Sequence, residues 1–113
     1  MGYHENLPVF IRWTELLSYV MDTTEKFPKR VRFTISTRID NMALGVLELI
    51  IETAYTKKRT HLIQKTNLEL EKMRVLFRIC YQKRYLSGKK FKHIIHELYE
   101  IGKMLGGWAR SQQ

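Results

Sequence analysis

The side chains in this sequence best suited to acid-base or metal chemistry are His93, His96, Glu97 and Glu100, near the C-terminus. His and Glu three or four residues apart share one face of a helix, the spacing at which such groups can hold a metal together. Inside a helical bundle that chemistry needs matching carboxylates or imidazoles on facing helices. The periodic positions in the rest of the chain are apolar or Thr, so the two histidines are expected to pair with Glu97 and Glu100 on a solvated face. There is no nucleophile elbow, phosphate-cradling glycine loop, zinc motif or acidic metal cluster. The expectation is a protein that is not an enzyme, with no catalytic residue, no metal ligand and no cofactor.

The cations are the better candidates. Arg74 and Arg78 lie one helical turn apart, each next to an apolar-periodic residue, Met73 and Phe77. Guanidinium groups at such a margin can fork onto phosphate oxygens while their stems stay packed. A second set, Lys29, Arg30, Arg32, Lys83, Arg84, Lys89, Lys90 and Lys92, gathers around two breaks in the apolar pattern, and Arg38, Lys65 and Lys72 add further donors. The 113 residues carry 20 Lys plus Arg against 11 Asp plus Glu, a net charge of +9. Residues 1–27 hold two basic and four acidic side chains, whereas residues 28–113 hold 18 and seven. A field of that sign speeds encounter with nucleic acid, an anionic membrane or an acidic protein, and it also serves solubility. A polyanion spanning several of these groups would bind strongly at low salt with weak sequence dependence. The competing reading is a solvated face with intrahelical pairs such as Glu71 with Arg74 or Arg78, although the acids are too few to neutralise the bases. Tyr81, Tyr85 and Tyr99 are possible stacking partners for bases, or equally core-edge tyrosines.

Four helices must position these groups. The first is expected over 8–26, with Asn6 as a cap, Pro8 in the first turn, and Phe10, Trp13, Leu17 and Val20 stepping by threes and fours. Pro28 ends it, because the residue before a proline is pushed out of the α region. The second, over 31–55, carries a seam of Ile35, Ile39, Met42, Val46, Leu49 and Thr53. After the polar break at Thr56, Lys57 and Lys58, a third helix over 59–85 repeats the seam at Ile63, Thr66, Leu70, Met73, Phe77 and Cys80. Ser87 is placed to cap a fourth, over 88–108, through Phe91, Ile94, Leu98, Ile101, Leu105 and Trp108. Gly102, Gly106 and Gly107 read as close helix approach or a C-terminal cap. Three short connections make an up-down-up-down, all-α four-helix bundle, so both basic breaks fall at the same end and form a basic cap. Residues 1–113 read as one domain, with no linker.

Leu44, Leu47, Ile50 and Ile51 flank the second helix's seam, and Leu62, Leu68, Val75, Leu76 and Ile79 flank the third's. Apolar arcs wider than one interior mark either self-association or a broad core covered by Lys and Arg stems. The lone cysteine, Cys80, is at a core position, so a reducing cytoplasm is the expected compartment. No secretory signal is read at the N-terminus. The longest uncharged apolar run, around Met42 to Ile51, is interrupted by Glu48, so no membrane span or membrane partner is expected.

Three segments together carry a family resemblance. Phe27-Pro28-Lys29, Arg32-Phe33 and Thr37-Arg38-Ile39 resemble the opening of the second helix in small bacterial four-helix-bundle proteins. Two branches share that opening: proteins encoded in insertions of large-subunit ribosomal RNA, and the accessory variability determinant (Avd) proteins of diversity-generating retroelements. The stretch from Leu47 to Tyr55 lacks the ending of the ribosomal branch. Met73-Arg74 with Arg78, and the ending Ile101-Gly102-Lys103-Met104-Leu105-Gly106-Gly107-Trp108, are similar to the Avd pattern. That resemblance implies a homopentameric barrel with a positive surface that binds a dedicated reverse transcriptase and RNA or DNA in making mutagenised cDNA. It marks Arg74 and Arg78 as the basic pair and Gly102, Gly106 and Trp108 as structural. The alternative is a structural bundle of the ribosomal-insertion type with no polymerase partner.

Overall fold

Four helices, α1 (Pro8–Glu25), α2 (Thr37–Ala54), α3 (Thr60–Gln82) and α4 (Gly88–Arg110), form a bundle in the computed structural model, which describes residues 2–111. Among the described residues there is no strand. Each helix packs on the next and α4 packs back on α1, while α1 and α3 are diagonal and do not touch. The bundle is 44 Å long and 20 to 24 Å across.

Local chemistry sets the ends of these helices. Pro8 occupies the first turn of α1, where its missing N–H costs nothing, but the cap is the extended Leu7 and no side chain bonds there, so Asn6 does not act as predicted. Ser87 does cap α4, its hydroxyl accepting from the Lys90 amide at 3.2 Å. Between Pro28 and α2 the chain makes a 3₁₀ turn (Lys29–Val31) and then a π-helical turn (Arg32–Ser36). The wider turn is held by the Thr37 hydroxyl, which donates to the Arg32 carbonyl at 2.7 Å. It is tied to the end of α1 by Ser36 donating to the Thr24 carbonyl and by Thr24 donating to the Asp40 carboxylate at 2.7 Å.

The core confirms the third seam residue by residue: Ile63, Thr66, Leu70, Met73, Phe77 and Cys80 are all buried. Thr66 and Thr53 sit inside because each hydroxyl donates to the carbonyl four residues earlier, leaving no polar atom orphaned. The second seam is displaced. Ala43 and Ile50 are buried where Met42 and Leu49 were expected, and those two sit at the flank. Trp13 is the reason: fully buried, it lies against α2 and donates its indole N–H to the Ala43 carbonyl at 3.0 Å, which requires a small residue at 43. Phe10, Phe91 and Trp108 likewise are only half-buried, at the edges of the core.

The glycines of α4 are neither a cap nor points of close approach within the bundle. The helix runs through them to Arg110, none has a positive φ, and a Cβ at Gly102 or Gly106 would meet only a side-chain atom at 3.7 or 3.5 Å.

Arg12 on α1 and Glu97 on α4 close the bundle with a two-pronged ion pair at 2.9 and 2.8 Å. The Arg12 hydrogen bonds hold the Glu97 carboxyl below its ordinary pKa, and Glu97 in turn raises that of Arg12. A carboxylate with a lowered folded pKa stabilises above its unfolded pKa, and that stability is lost as pH falls through the folded value. Glu97→Gln should therefore cost about 1 kcal/mol at neutral pH. Melting curves from neutral pH down to about pH 3 should show wild type and variant converging on the acid side of the ordinary glutamate pKa of about 4.3.

Candidate nucleic-acid interface

The two basic junctions do meet at one end of the bundle. Phe27, at the end of α1, packs on Tyr85 from the α3–α4 junction with ring centres 5.6 Å apart, and the Arg30 guanidinium lies 5.7 Å over the same ring. Tyr81 of α3 stacks flat on Phe91 of α4 at 4.6 Å. Lys29, Arg30, Arg32, Lys83, Arg84, Lys89 and Lys92 are exposed and Lys90 is half-buried. Among the described residues, no carboxylate is within ion-pair distance of any of these eight. Arg32 has the most acidic surroundings, sharing a shallow pocket with Asp22, Glu25 and Asp40.

Arg84 occupies a strained position. Its φ is 64°, the left-handed region that favours glycine. The Arg84 amide bonds to the Tyr81 carbonyl and the Tyr85 amide to the Cys80 carbonyl, both at 2.9 Å, so α3 ends in a Schellman turn with arginine where glycine is usual. The sequence marks a break at Ser87 and Gly88 and conceals this turn, because no Gly or Asn announces it.

The helix 3 pair is split. Arg74 is half-buried and forks onto Glu71, with one hydrogen bond of 2.8 Å, and that contact lowers the Glu71 pKa. Arg78 is exposed and makes no ion pair among the described residues. Arg74 faces a groove of about 970 Å³ between α3 and α4, whose rim also carries Lys92, Lys103 and Arg110 and whose floor includes Leu70, Phe91 and Leu98. The structure thus brings Arg74 and Lys92 to one groove, a juxtaposition their sequence separation hides. Lys103 is paired with Glu100 at 3.1 Å, Lys72 with Glu69 at 3.0 Å, and Arg38 and Lys65 are exposed.

The His and Glu cluster is rearranged from expectation. Glu97 belongs to Arg12, His93 packs on Tyr19 at 4.6 Å, and His96 approaches Glu100 at 3.8 Å and Glu97 at 4.0 Å. Among the described residues no three His, Cys, Asp or Glu side chains gather to hold a metal ion, and no helix is long and apolar enough to cross a membrane. Cys80 is fully buried and its thiol is pushed up to about 11, which leaves it protonated and unreactive.

Of the aromatics, Tyr81 and Tyr85 are engaged as above, and Tyr99 is exposed with Lys103 at 5.2 Å over its ring. Phe33 is a contact residue that its sequence position does not reveal. It projects from the π-helical turn between Arg32 and Arg38 and is 85% exposed. At the far end, Arg59 covers Trp108 at 5.2 Å, which fits the structural role implied for that tryptophan.

Fold and site together define a small, strongly basic four-helix-bundle protein whose surplus charge is concentrated at one end. The bAvd-like family profile matches residues 9–112, and the chain belongs to that family of non-catalytic accessory proteins of diversity-generating retroelements. No curated protein matches the chain in sequence.

Replacing Arg84 by Gly removes a left-handed side-chain conformation and should raise unfolding stability by about 1 kcal/mol in a denaturant titration, in spite of the missing cation. No gain, or a decrease, would mean that the guanidinium makes a compensating interaction.

Proposed function

We propose that this protein acts as a homopentamer that binds its reverse transcriptase and the template RNA or cDNA, with the basic cap as the nucleic-acid surface. The observation that carries the reading is the cap itself: eight cations from two distant segments, held at one end with no carboxylate partner among the described residues. Such a cluster repels itself, and a polyanion that displaces its counterions relieves the repulsion. Arg78 is ready to join this surface. Arg74 must either leave Glu71 or bind phosphate with Glu71 still attached, so it contributes less than its exposed neighbours. Membership of the retroelement accessory family supports the polymerase as the protein partner. The apolar flanks of α2 and α3, where Leu44, Leu68 and Ile79 are exposed, support self-association.

Lys89→Ala, Lys90→Ala and Lys92→Ala together should weaken binding to single-stranded RNA and flatten the slope of log affinity against log salt by roughly 0.7 for each phosphate that is no longer neutralised. Arg74→Ala with Arg78→Ala should have the smaller effect. Circular dichroism accompanies both, because the Arg74 stem is packed. A folded triple variant with wild-type affinity and slope would remove the cap from the interface. Light scattering on the wild type should give about five times the 13.6 kDa chain mass.

A further inference from the structure

The bundle has one face whose charge opposes all the rest. On the outer side of α1, Ile11, Glu15, Ser18, Asp22 and Glu25 form a single stripe pointing away from the core, with Met21 at its edge. Ile11 and Met21 are 46% and 42% exposed. Glu15, Asp22 and Glu25 are exposed and make no ion pair among the described residues. This is an apolar and acidic helix face on a chain of net charge +9.

A groove between the start of α2 and α3 has the complementary character. Its apolar walls include Phe33, Met42, Leu76 and Ile79, and its cations are Arg38, which has no carboxylate partner among the described residues, and Lys72, whose partner Glu69 is on the same helix. Phe33 and Ile79 are 85% and 43% exposed. At about 940 Å³ the groove can receive several side chains from one face of a helix.

We propose that the acidic stripe of α1 docks into the α2–α3 groove of a second copy of this chain. The inference deepens the homo-oligomer of the proposed function and rests on it. Charge selects the occupant. Two molecules of +9 repel through any pair of basic faces, and only a contact that uses the α1 stripe sets carboxylates against Arg38 and Lys72 while covering Ile11, Met21, Phe33 and Ile79. The stripe and the groove are different surfaces on different helices. The contact is therefore heterologous: each copy offers a stripe to one neighbour and a groove to the other, and the chain of contacts closes into a ring. This arrangement leaves the basic cap, built from the helix junctions, outside the interface.

Light scattering with charge reversal tests it. One variant carries Glu15→Lys, Asp22→Lys and Glu25→Lys, the other Arg38→Glu and Lys72→Glu; all five positions are at the surface, and circular dichroism checks that each protein is folded. Each variant alone should fall below the wild-type mass at micromolar concentration, and an equimolar mixture should regain association, because each reversed stripe now matches the other variant's groove. Phe33→Ala, which removes almost nothing from the folded chain, should weaken assembly by about tenfold or more. A monomeric wild type would overturn the homo-oligomer itself. An oligomeric wild type with both variants still fully assembled, or with no recovery on mixing, would leave the homo-oligomer standing and overturn this contact.

Discussion

Trp13 sets the geometry on which the rest of the bundle depends. Its ring is fully buried and its indole N–H must find an acceptor, which it does in the backbone of α2 at Ala43. A large ring against a helix backbone requires a small side chain at the contact, and that choice rotates α2 by about one residue about its axis. The rotation brings Ile50 inward with Ala43 and turns Met42 toward α3, where it lines the outer groove instead of filling the core. The surplus apolar surface of α2 and the alignment of α1 on it are thus consequences of one hydrogen-bonded aromatic contact. The Arg12 to Glu97 pair closes the opposite side of α1 onto α4 and completes the ring of helix contacts.

This explains which parts of the architecture could be read from residues. The third helix was legible throughout, because its seam has a single periodic solution and its one polar member, Thr66, bonds to its own backbone. The second helix offered two solutions one residue apart, Met42 with Leu49 or Ala43 with Ile50. Periodicity favours the larger side chains, and only the contact with Trp13, made across space, favours the smaller. The end of the third helix was hidden in another way. Local pattern rules look for glycine at a left-handed position, and this chain places Arg84 there. The glycines of α4 misled in the reverse sense, because they lie within a continuous helix and nothing in the bundle crowds them.

The candidate site was legible in its composition and placement but not in its pairing. Antiparallel topology alone puts the two basic junctions at one end, and the Phe27, Arg30 and Tyr85 contacts show them there. Which cations remain available depends on side-chain geometry that no spacing rule supplies. Arg74 and Arg78 are equivalent by spacing, yet only Arg74 is three residues after a glutamate that it grasps with both nitrogens. Phe33 escapes any pattern because it falls off every seam, and a residue off the seam reads as surface whether or not it does anything there.

The two ends of the bundle show how stability and function have been separated along its length. At the end carrying Tyr55 and Trp108, the polar and cationic groups are matched internally: His4 bonds to the Tyr55 hydroxyl at 3.1 Å, and Arg59 covers the Trp108 ring while donating to the Thr56 carbonyl at 3.0 Å. At the other end the chain accepts a left-handed arginine, a π-helical turn, an aromatic ring in water and eight cations with no carboxylate in ion-pair reach among the described residues. Each of these works against folding, by about 1 to 3 kcal/mol for a strained backbone residue and by mutual repulsion for the charges. A bundle needs none of them to close its core, and the far end shows that this chain can satisfy a helix junction without them. Their concentration at one end is what a surface shaped by a ligand outside the protomer looks like, since only binding can return the free energy that the folded chain gives up there.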